Sequence, residues 1–380
     1  MAKALEIFLQ QLINGIQTGS IYALIAIGYT MVYGVLKFIN FAHGDVYMVG
    51  AYIGFFTVTG VLLHMQGSPE MQLLSGLLLS MVGCALLGVF IERLAYRPLR
   101  NGLSATDAWP WALFTALYFG LFLGPKISEH SQLSGVGAFF IVTGVAFAAF
   151  WALFRYGFRA LGTHLKPSKN RLTALITAIG ISLLLENQGQ ATFTPTPRSF
   201  PPLKLSAWFP KNLNMHLGAI ELNISSGRVL ELVAAIILTA LLVYIVRFTR
   251  TGRAIRAVSF DPEAAALMGI PTDRIIALTF IIGSSLAGAA GFLNHDLGQL
   301  SFKPDVGIQL GLKAFVAAVL GGIGSIEGAV LGALLMGLAE SFVGGGALNS
   351  FKGAIAFVIL IAVLLFRPAG LLGRNVAEKV

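Results

Sequence analysis

Eleven stretches of this chain are apolar over a length close to the 20 or so residues that a helix needs to cross a bilayer. They fall at roughly 12–35, 46–63, 73–92, 109–125, 136–154, 172–190, 229–247, 275–293, 307–322, 328–344 and 353–367. Between them there is too little charge to clothe a soluble surface. Lys, Arg, Asp and Glu make up 11% of 380 residues, where soluble domains carry about 25%. Mean hydropathy is +0.80. In lipid a backbone must satisfy its own hydrogen bonds, so the expected fold is all-α and polytopic, with about eleven transmembrane helices. The net charge of +9 forms no basic stripe interleaved with aromatics, which argues against a nucleic-acid partner. Cys84 is the single cysteine, so no internal disulfide can form.

Basic residues orient such a chain, because loops rich in Lys and Arg stay in the cytoplasm. Sixteen lie in 93–104, 155–171, 247–274 and 367–380, against eight in the opposite loops. With eleven spans all sixteen share one side, giving a cytoplasmic C-terminus and an external N-terminus. The first span has no small-residue cleavage site after a short apolar region and reads as an uncleaved helix. The main external feature is 193–227, where Pro195, Pro197, Pro201 and Pro202 forbid a regular helix. It reads either as a surface spacer or as a landing surface for an external partner.

Enzyme signatures are missing. No GxxxxGK[ST] phosphate loop, HExxH, GxSxG or paired CxxC occurs, so neither P-loop ATP binding nor the commoner hydrolytic chemistries are encoded. The run GGIGS at 321–325 lacks the P-loop lysine and reads as a tight turn. His295 and Asp296 have no third ligand nearby in sequence, so they read as a polar helix end, not a metal site. No cofactor is expected on this chain.

The segment 251–274, TGRAIRAVSFDPEAAALMGIPTDR, carries the strongest local signal. Asp261 is placed to cap a helix whose first position is Pro262, and Glu263 suits the helix dipole. Ala264, Ala265, Ala266, Leu267 and Met268 continue it. Gly269 can close it in the left-handed conformation, and Pro271 prevents extension. The result is a helix of about two turns in a basic loop, with small residues on its surface: an interhelical connector, or a knob for another protein's groove.

The spacing Glu263-Ala264-Ala265, three residues, Gly269 resembles the coupling loop of ABC-importer permeases. Residues 17–54 (QTGSIYALIAIGYTMVYGVLKFINFAHGDVYMVGAYIG), 171–187 (RLTALITAIGISLLLEN) and 312–340 (LKAFVAAVLGGIGSIEGAVLGALLMGLAE) resemble the branched-chain amino acid permeases, LivH branch. The likeness covers most of 5–103 and 170–380, with several long motifs in the right order. Two departures stand out. Residues 104–168 look like an insertion that adds two spans. Glu327 stands in GSIEG, where this family commonly has Pro. The whole chain thus reads as one permease domain, 1–380, with a cytoplasmic coupling loop at about 248–274.

The resemblance implies a transport subunit of the bacterial inner membrane, not an enzyme. It implies two cytoplasmic ABC ATPase subunits, a second related permease, a periplasmic or extracellular substrate-binding protein, and a bilayer around them. Branched-chain amino acids are the expected cargo, with urea or short amides as an alternative. A secondary transporter without ATPases is the rival of another class. Glu263, Ala264, Ala265 and Gly269 are the coupling candidates. In FAHGD (41–45), Gly44 would allow a helix break whose freed backbone groups His43 and Asp45 could satisfy, or the segment meets substrate. Gln17, Asn40, His43, Asn187 and Asn294 are the candidates for a polar pathway, since intramembrane polar groups are functional candidates by default, although amides also serve interhelical hydrogen bonding. Gly328 and Gly332 suit close helix packing. Lys313 and Glu340 lie about 9 Å and 6 Å inside their spans at 1.5 Å per residue. They are placed either to form an ion pair or to snorkel separately.

Overall fold

The computed structural model describes residues 2–62, 68–101, 108–109, 111–113, 115–116, 135–162, 171–201, 212–217, 220–297, 300–346 and 348–373. The helices in order are α1 (Ala2–Leu36), α2 (His43–Phe56, prolonged by a π-helical turn at Thr57–Leu62) and α3 (Pro69–Ile91). A second π turn, Glu92–Tyr96, leads into α4 (Arg97–Asn101). Then come α5 (Gly135–Gly162), α6 (Arg171–Phe193), α7 (Ser226–Phe248), α8 (Arg250–Phe260) and α9 (Pro262–Leu267). The chain ends with α10 (Thr272–Asp296), α11 (Val306–Gly321), α12 (Ile326–Gly344) and α13 (Ile355–Phe366). It divides into two compact units, 1–88 with 178–380, and 89–177.

Seven of the described helices are long and apolar enough to cross a membrane, not eleven. The apolar runs at 46–63, 307–322 and 353–367 form helices α2, α11 and α13 of 14, 16 and 12 residues. The run at 109–125 lies mostly outside the described residues. The first three runs are apolar but their helices are too short, and apolarity alone does not report where a helix ends. Ten of the fourteen α2 residues are buried inside the chain.

The larger unit is built around α1, whose residues from Gly19 to Val32 are all buried. It packs against α12, α10, α11 and α7. Glycine makes this approach close. A Cβ at Gly15 would lie 2.8 Å from the Leu338 Cα, and one at Gly337 2.6 Å from the Gly19 Cα, so α1 and α12 meet backbone to backbone. Such small-residue crossings are how helices associate where lipid supplies no hydrophobic drive. Gly44, expected to break a helix, does not: it lies in the first turn of α2, where a Cβ would sit 3.0 Å from the Gly311 Cα. The irregular backbone falls just before it, and the His43 N–H donates to the Asn40 carbonyl at 3.1 Å. The α11–α12 connection turns at Gly322 and Gly324, with φ of +105° and +101°, and the Ser325 hydroxyl accepts from the Gly328 N–H at 3.1 Å to start α12.

The described residues within 193–227 carry more structure than a proline-rich connection suggests. Arg198 and Phe302 exchange two backbone hydrogen bonds of 2.8 Å, and the Arg198 guanidinium lies over the Phe55 and Phe56 rings. Further on, β1 (Asn212–Leu217) and β2 (Ile220–Ser225) pair antiparallel, with Leu217 opposite Ile220. Gln10 of α1 ties β2 down, accepting from the Asn223 N–H at 3.2 Å and donating to its carbonyl at 3.1 Å.

In the smaller unit, Glu92 is buried and receives Arg100 at 2.6 Å. The most apolar window of α5 has no buried residue.

Candidate functional site

Two places in the larger unit carry chemistry, and α10 runs between them. Thr272 to Asn294 spans about 33 Å at 1.5 Å per residue, roughly the thickness of a membrane's hydrocarbon core.

At one end, α8 and α9 form a knuckle. The Thr249 hydroxyl caps α8 by accepting from the Gly252 N–H at 3.1 Å. The Asp261 carboxylate caps α9, accepting from the Glu263 and Ala264 N–H groups, each at 2.9 Å. Gly269 has φ +81°, and the Gly269 N–H donates to Ala266 and the Ile270 N–H to Ala265, each at 3.0 Å. These two bonds make a Schellman closure, which satisfies the last carbonyls of the helix. The helix has six residues, a little under two turns, with Met268 as its C-cap where the sequence suggested its last residue. Its small residues are not all on the surface. Glu263 and Ala264 are exposed, but Ala265 is buried against its own chain. What stands in the open is large and apolar: Phe260 at 93%, Leu267 at 89% and Met268 at 83% exposure.

At the other end lies a cavity of about 340 Å³, whose lining includes Gln17, Tyr22, Arg228, Glu231, Asn294 and Lys313. It is assembled from α1, α7, the end of α10, the start of α11 and the end of α12. Lys313 Nζ stands 2.6 Å from Glu340, which also accepts from the Tyr22 hydroxyl at 2.6 Å and has Lys352 Nζ at 3.8 Å. Glu340 is buried and fully engaged. That combination matters, because a buried carboxylate is tolerated only when paired and hydrogen-bonded. Asn294 donates to the Tyr47 hydroxyl at 2.6 Å, and His295 Nδ1 is 2.8 Å from the Gly291 carbonyl. A carbonyl needs a proton on Nδ1, which in the neutral ring leaves Nε2 as an acceptor.

Of the pathway candidates, the structure brings Gln17 and Asn294 to this cavity, together with Lys313 and Glu340. Asn40 and His43 are buried elsewhere; the His43 ring packs edge-on to Tyr29 with centroids 4.8 Å apart. Asp45, two residues on, accepts from the Ser182 hydroxyl at 2.5 Å. Asn187 lies on an exposed face of α6 and donates to the Leu183 carbonyl within its own helix at 2.7 Å. Sequence reasoning missed Arg228 and Glu231. The one available signal was an acid three residues after a base at the mouth of a span, which looks like an interface residue until the fold buries it. Glu327, the departure from the family pattern, pairs with Arg247 across an exposed surface.

The family model described as "Branched-chain amino acid transport system / permease component" matches residues 11–364. The high-affinity branched-chain amino acid transport system permease protein BraD of Pseudomonas aeruginosa is 38% identical over 379 residues, covering 98% of each chain. The corresponding LivH protein of Escherichia coli K12 is 35% identical over 382 residues, covering all of both chains. A fructose import permease protein, FrcC of Rhizobium meliloti, is 34% identical over 113 residues, 28% of this chain and 31% of its own. No solved structure gives a significant match.

Proposed function

The chain belongs to the branched-chain amino acid transport permease family, and from that premise we propose that it passes branched-chain, hydrophobic amino acids inward through the membrane. It is a permease subunit of an ABC importer and does not itself hydrolyse ATP. Its work is mechanical: to hold a path for the solute and to move when its ATPase partners move.

The observation that carries this reading is the knuckle at α8–α9. A six-residue helix capped at both ends is rigid far beyond its length, because its orphan N–H and C=O groups are satisfied by Asp261 and the Schellman bonds. It presents Phe260, Leu267 and Met268 with nothing of its own chain over them. Large exposed apolar side chains clustered on a rigid knob fit a partner's groove. We assign that groove to two cytoplasmic ABC ATPases, with Glu263, Ala264, Ala265 and Gly269 as coupling residues: the first two at the surface, the last two holding the helix in shape. A second related permease and a substrate-binding protein outside the membrane complete the assembly. The knuckle then faces the cytoplasm with the C-terminus, and the cavity at the far end of α10 opens toward the outside. Residues 104–168 are an addition to the permease chain, inserted between stretches that resemble the family.

Within the larger unit, Gln17 and Asn294 are the pathway candidates that the cavity supports. Asn40, His43 and Asn187 do not share it, and the buried two serve packing in this reading. The cavity also favours an amino acid over urea or a short amide, since a neutral amide offers only hydrogen bonds to the charges of both signs in the lining, where a zwitterion offers full opposite charges. The experiment is uptake of labelled leucine, isoleucine and valine by cells producing the complete system, with urea and acetamide alongside. ATP-dependent uptake of the amino acids is the expected result; uptake of the amides alone would move the substrate to the alternative.

A further inference from the structure

The cavity contains an acid that no side chain touches with a hydrogen bond or a contact ion pair among the described residues. Glu231 is 3% exposed and lines the cavity from α7. Among the described residues no donor hydrogen-bonds it and no basic side chain forms an ion pair with it, while the neighbouring acid, Glu340, has three partners. Arg228, also in the lining, has no ion-pair or hydrogen-bond partner among the described residues either. The two lie three residues apart on one helix, so their Cβ atoms share a face about 5–6 Å apart. A fold that buries an acid one turn from a half-buried base, yet leaves them without a contact ion pair, leaves room for something of opposite charges between them. The cost of an unpaired buried carboxylate is several kcal/mol; a proton on the carboxyl removes it, and so does an arriving cation that takes the proton's place in an ion pair.

Resting on the proposed amino-acid transport, we infer that Arg228 and Glu231 form a zwitterion-binding subsite: Glu231 accepts the α-ammonium of the transported amino acid and Arg228 holds its α-carboxylate. Ile21, Leu300, Val306 and Leu310 of the same cavity then face an aliphatic side chain. Lys313 and Glu340 neutralise each other and take no part in recognition; they fix α11 to α12 beside the site. The cavity of about 340 Å³ is at the small end of ligand pockets, which run from about 300 to 1,000 Å³, as suits a single amino acid.

The test is direct binding to the purified complex of the permease with its ATPases, without binding protein, so that selection by the latter does not enter. The probes are L-leucine, 4-methylpentanoate (leucine without its amine) and 3-methylbutylamine (leucine without its carboxylate). The wild type is expected to bind leucine at least about tenfold more tightly than either analogue, the effect of losing one charged hydrogen-bonding group. Glu231→Gln should weaken leucine by at least about tenfold and leave 4-methylpentanoate unchanged, since that ligand has no ammonium to lose. Arg228→Gln should weaken leucine and 4-methylpentanoate and spare 3-methylbutylamine. A merely structural role would weaken all three ligands together and would overturn the assignment. So would leucine binding by Glu231→Gln at wild-type strength. If that variant does not assemble, the wild type alone still decides: equal affinity for leucine and 4-methylpentanoate refutes the subsite. Failure of the wild-type system to take up any branched-chain amino acid would instead refute the proposed transport, and uptake with no leucine binding to the permease would refute the subsite alone.

Discussion

The knuckle and the cavity stand at opposite ends of α10 and are built in opposite ways. The knuckle is local. Its caps, closure and stop lie within Asp261–Pro271, and every hydrogen bond that defines α9 joins residues no more than five apart. The cavity is not local. Its central ion pair joins residues 27 apart, and the Tyr22 bond to Glu340 spans 318. A device that must keep its shape while a partner pushes on it gains from being self-contained. A site that must hold a solute between helices, and release it when they shift, has to be shared among them.

The largest expected effects test whether the knuckle's shape and surface are separable. Gly269→Val forces a β-branched residue to φ +81°, and Ala265→Trp places an indole where the chain is already packed. Both should abolish uptake in protein that still inserts at normal abundance; normal uptake in both would sink the coupling assignment. Leu267→Glu with Met268→Glu changes only exposed side chains. It should leave thermal stability unchanged, remove the ATPases from the purified complex and lower uptake more than tenfold, the scale of losing an interface hot spot of about 2 kcal/mol. Retained ATPases would place the docking surface elsewhere.

Next in size is the cavity's ion pair. Lys313→Ala or Glu340→Ala strips one partner from a buried pair, a change that costs about 3–5 kcal/mol and should cut abundance or uptake severely. The swap of Lys313→Glu with Glu340→Lys should restore function only in part, because the Tyr22 hydroxyl would have to reverse from donor to acceptor. A swap no better than the worse single variant counts against a pairing role.

A topological test sharpens the claim that the two ends face opposite sides. In a Cys84→Ala background, single cysteines at Ala264 and Ser199, both exposed, should react with an impermeant reagent from opposite faces of the membrane. Ser259 would be a poorer choice, since its hydroxyl donates to the Gly34 carbonyl at 2.8 Å. Ser206 lies outside the described residues. Labelling of both cysteines from one side would overturn the orientation.

The smallest effect belongs to Arg247 and Glu327. The pair is more than half exposed on both partners, and such pairs contribute about 0–1 kcal/mol. A double-mutant cycle on thermal unfolding should return a coupling within that range, and uptake should be unaffected. A larger coupling would mean that the knuckle end is covered in the assembled transporter.

What this sequence determined by itself is whatever lies within one or two helical turns. Membrane insertion follows from apolar runs, and the α9 cap and closure follow from Asp261, Pro262, Gly269 and Pro271, because capping energies act between neighbours in the chain. The GGIGS turn is legible for the same reason. Tertiary structure alone decided which apolar helices are covered by the chain and where each helix stops, and seven of the described helices are long enough to cross. It alone turned Ala265 inward, put Gly44 into a helix contact instead of a break, and separated Asn40, His43 and Asn187 from Gln17 and Asn294. It alone left Glu231 buried beside Arg228 without a bond between them. Hydropathy and spacing record what a residue is and who its chain neighbours are. Burial and pairing depend on which distant helix arrives alongside, and in a membrane that choice rests on glycine contacts that carry no polarity for a sequence pattern to reveal.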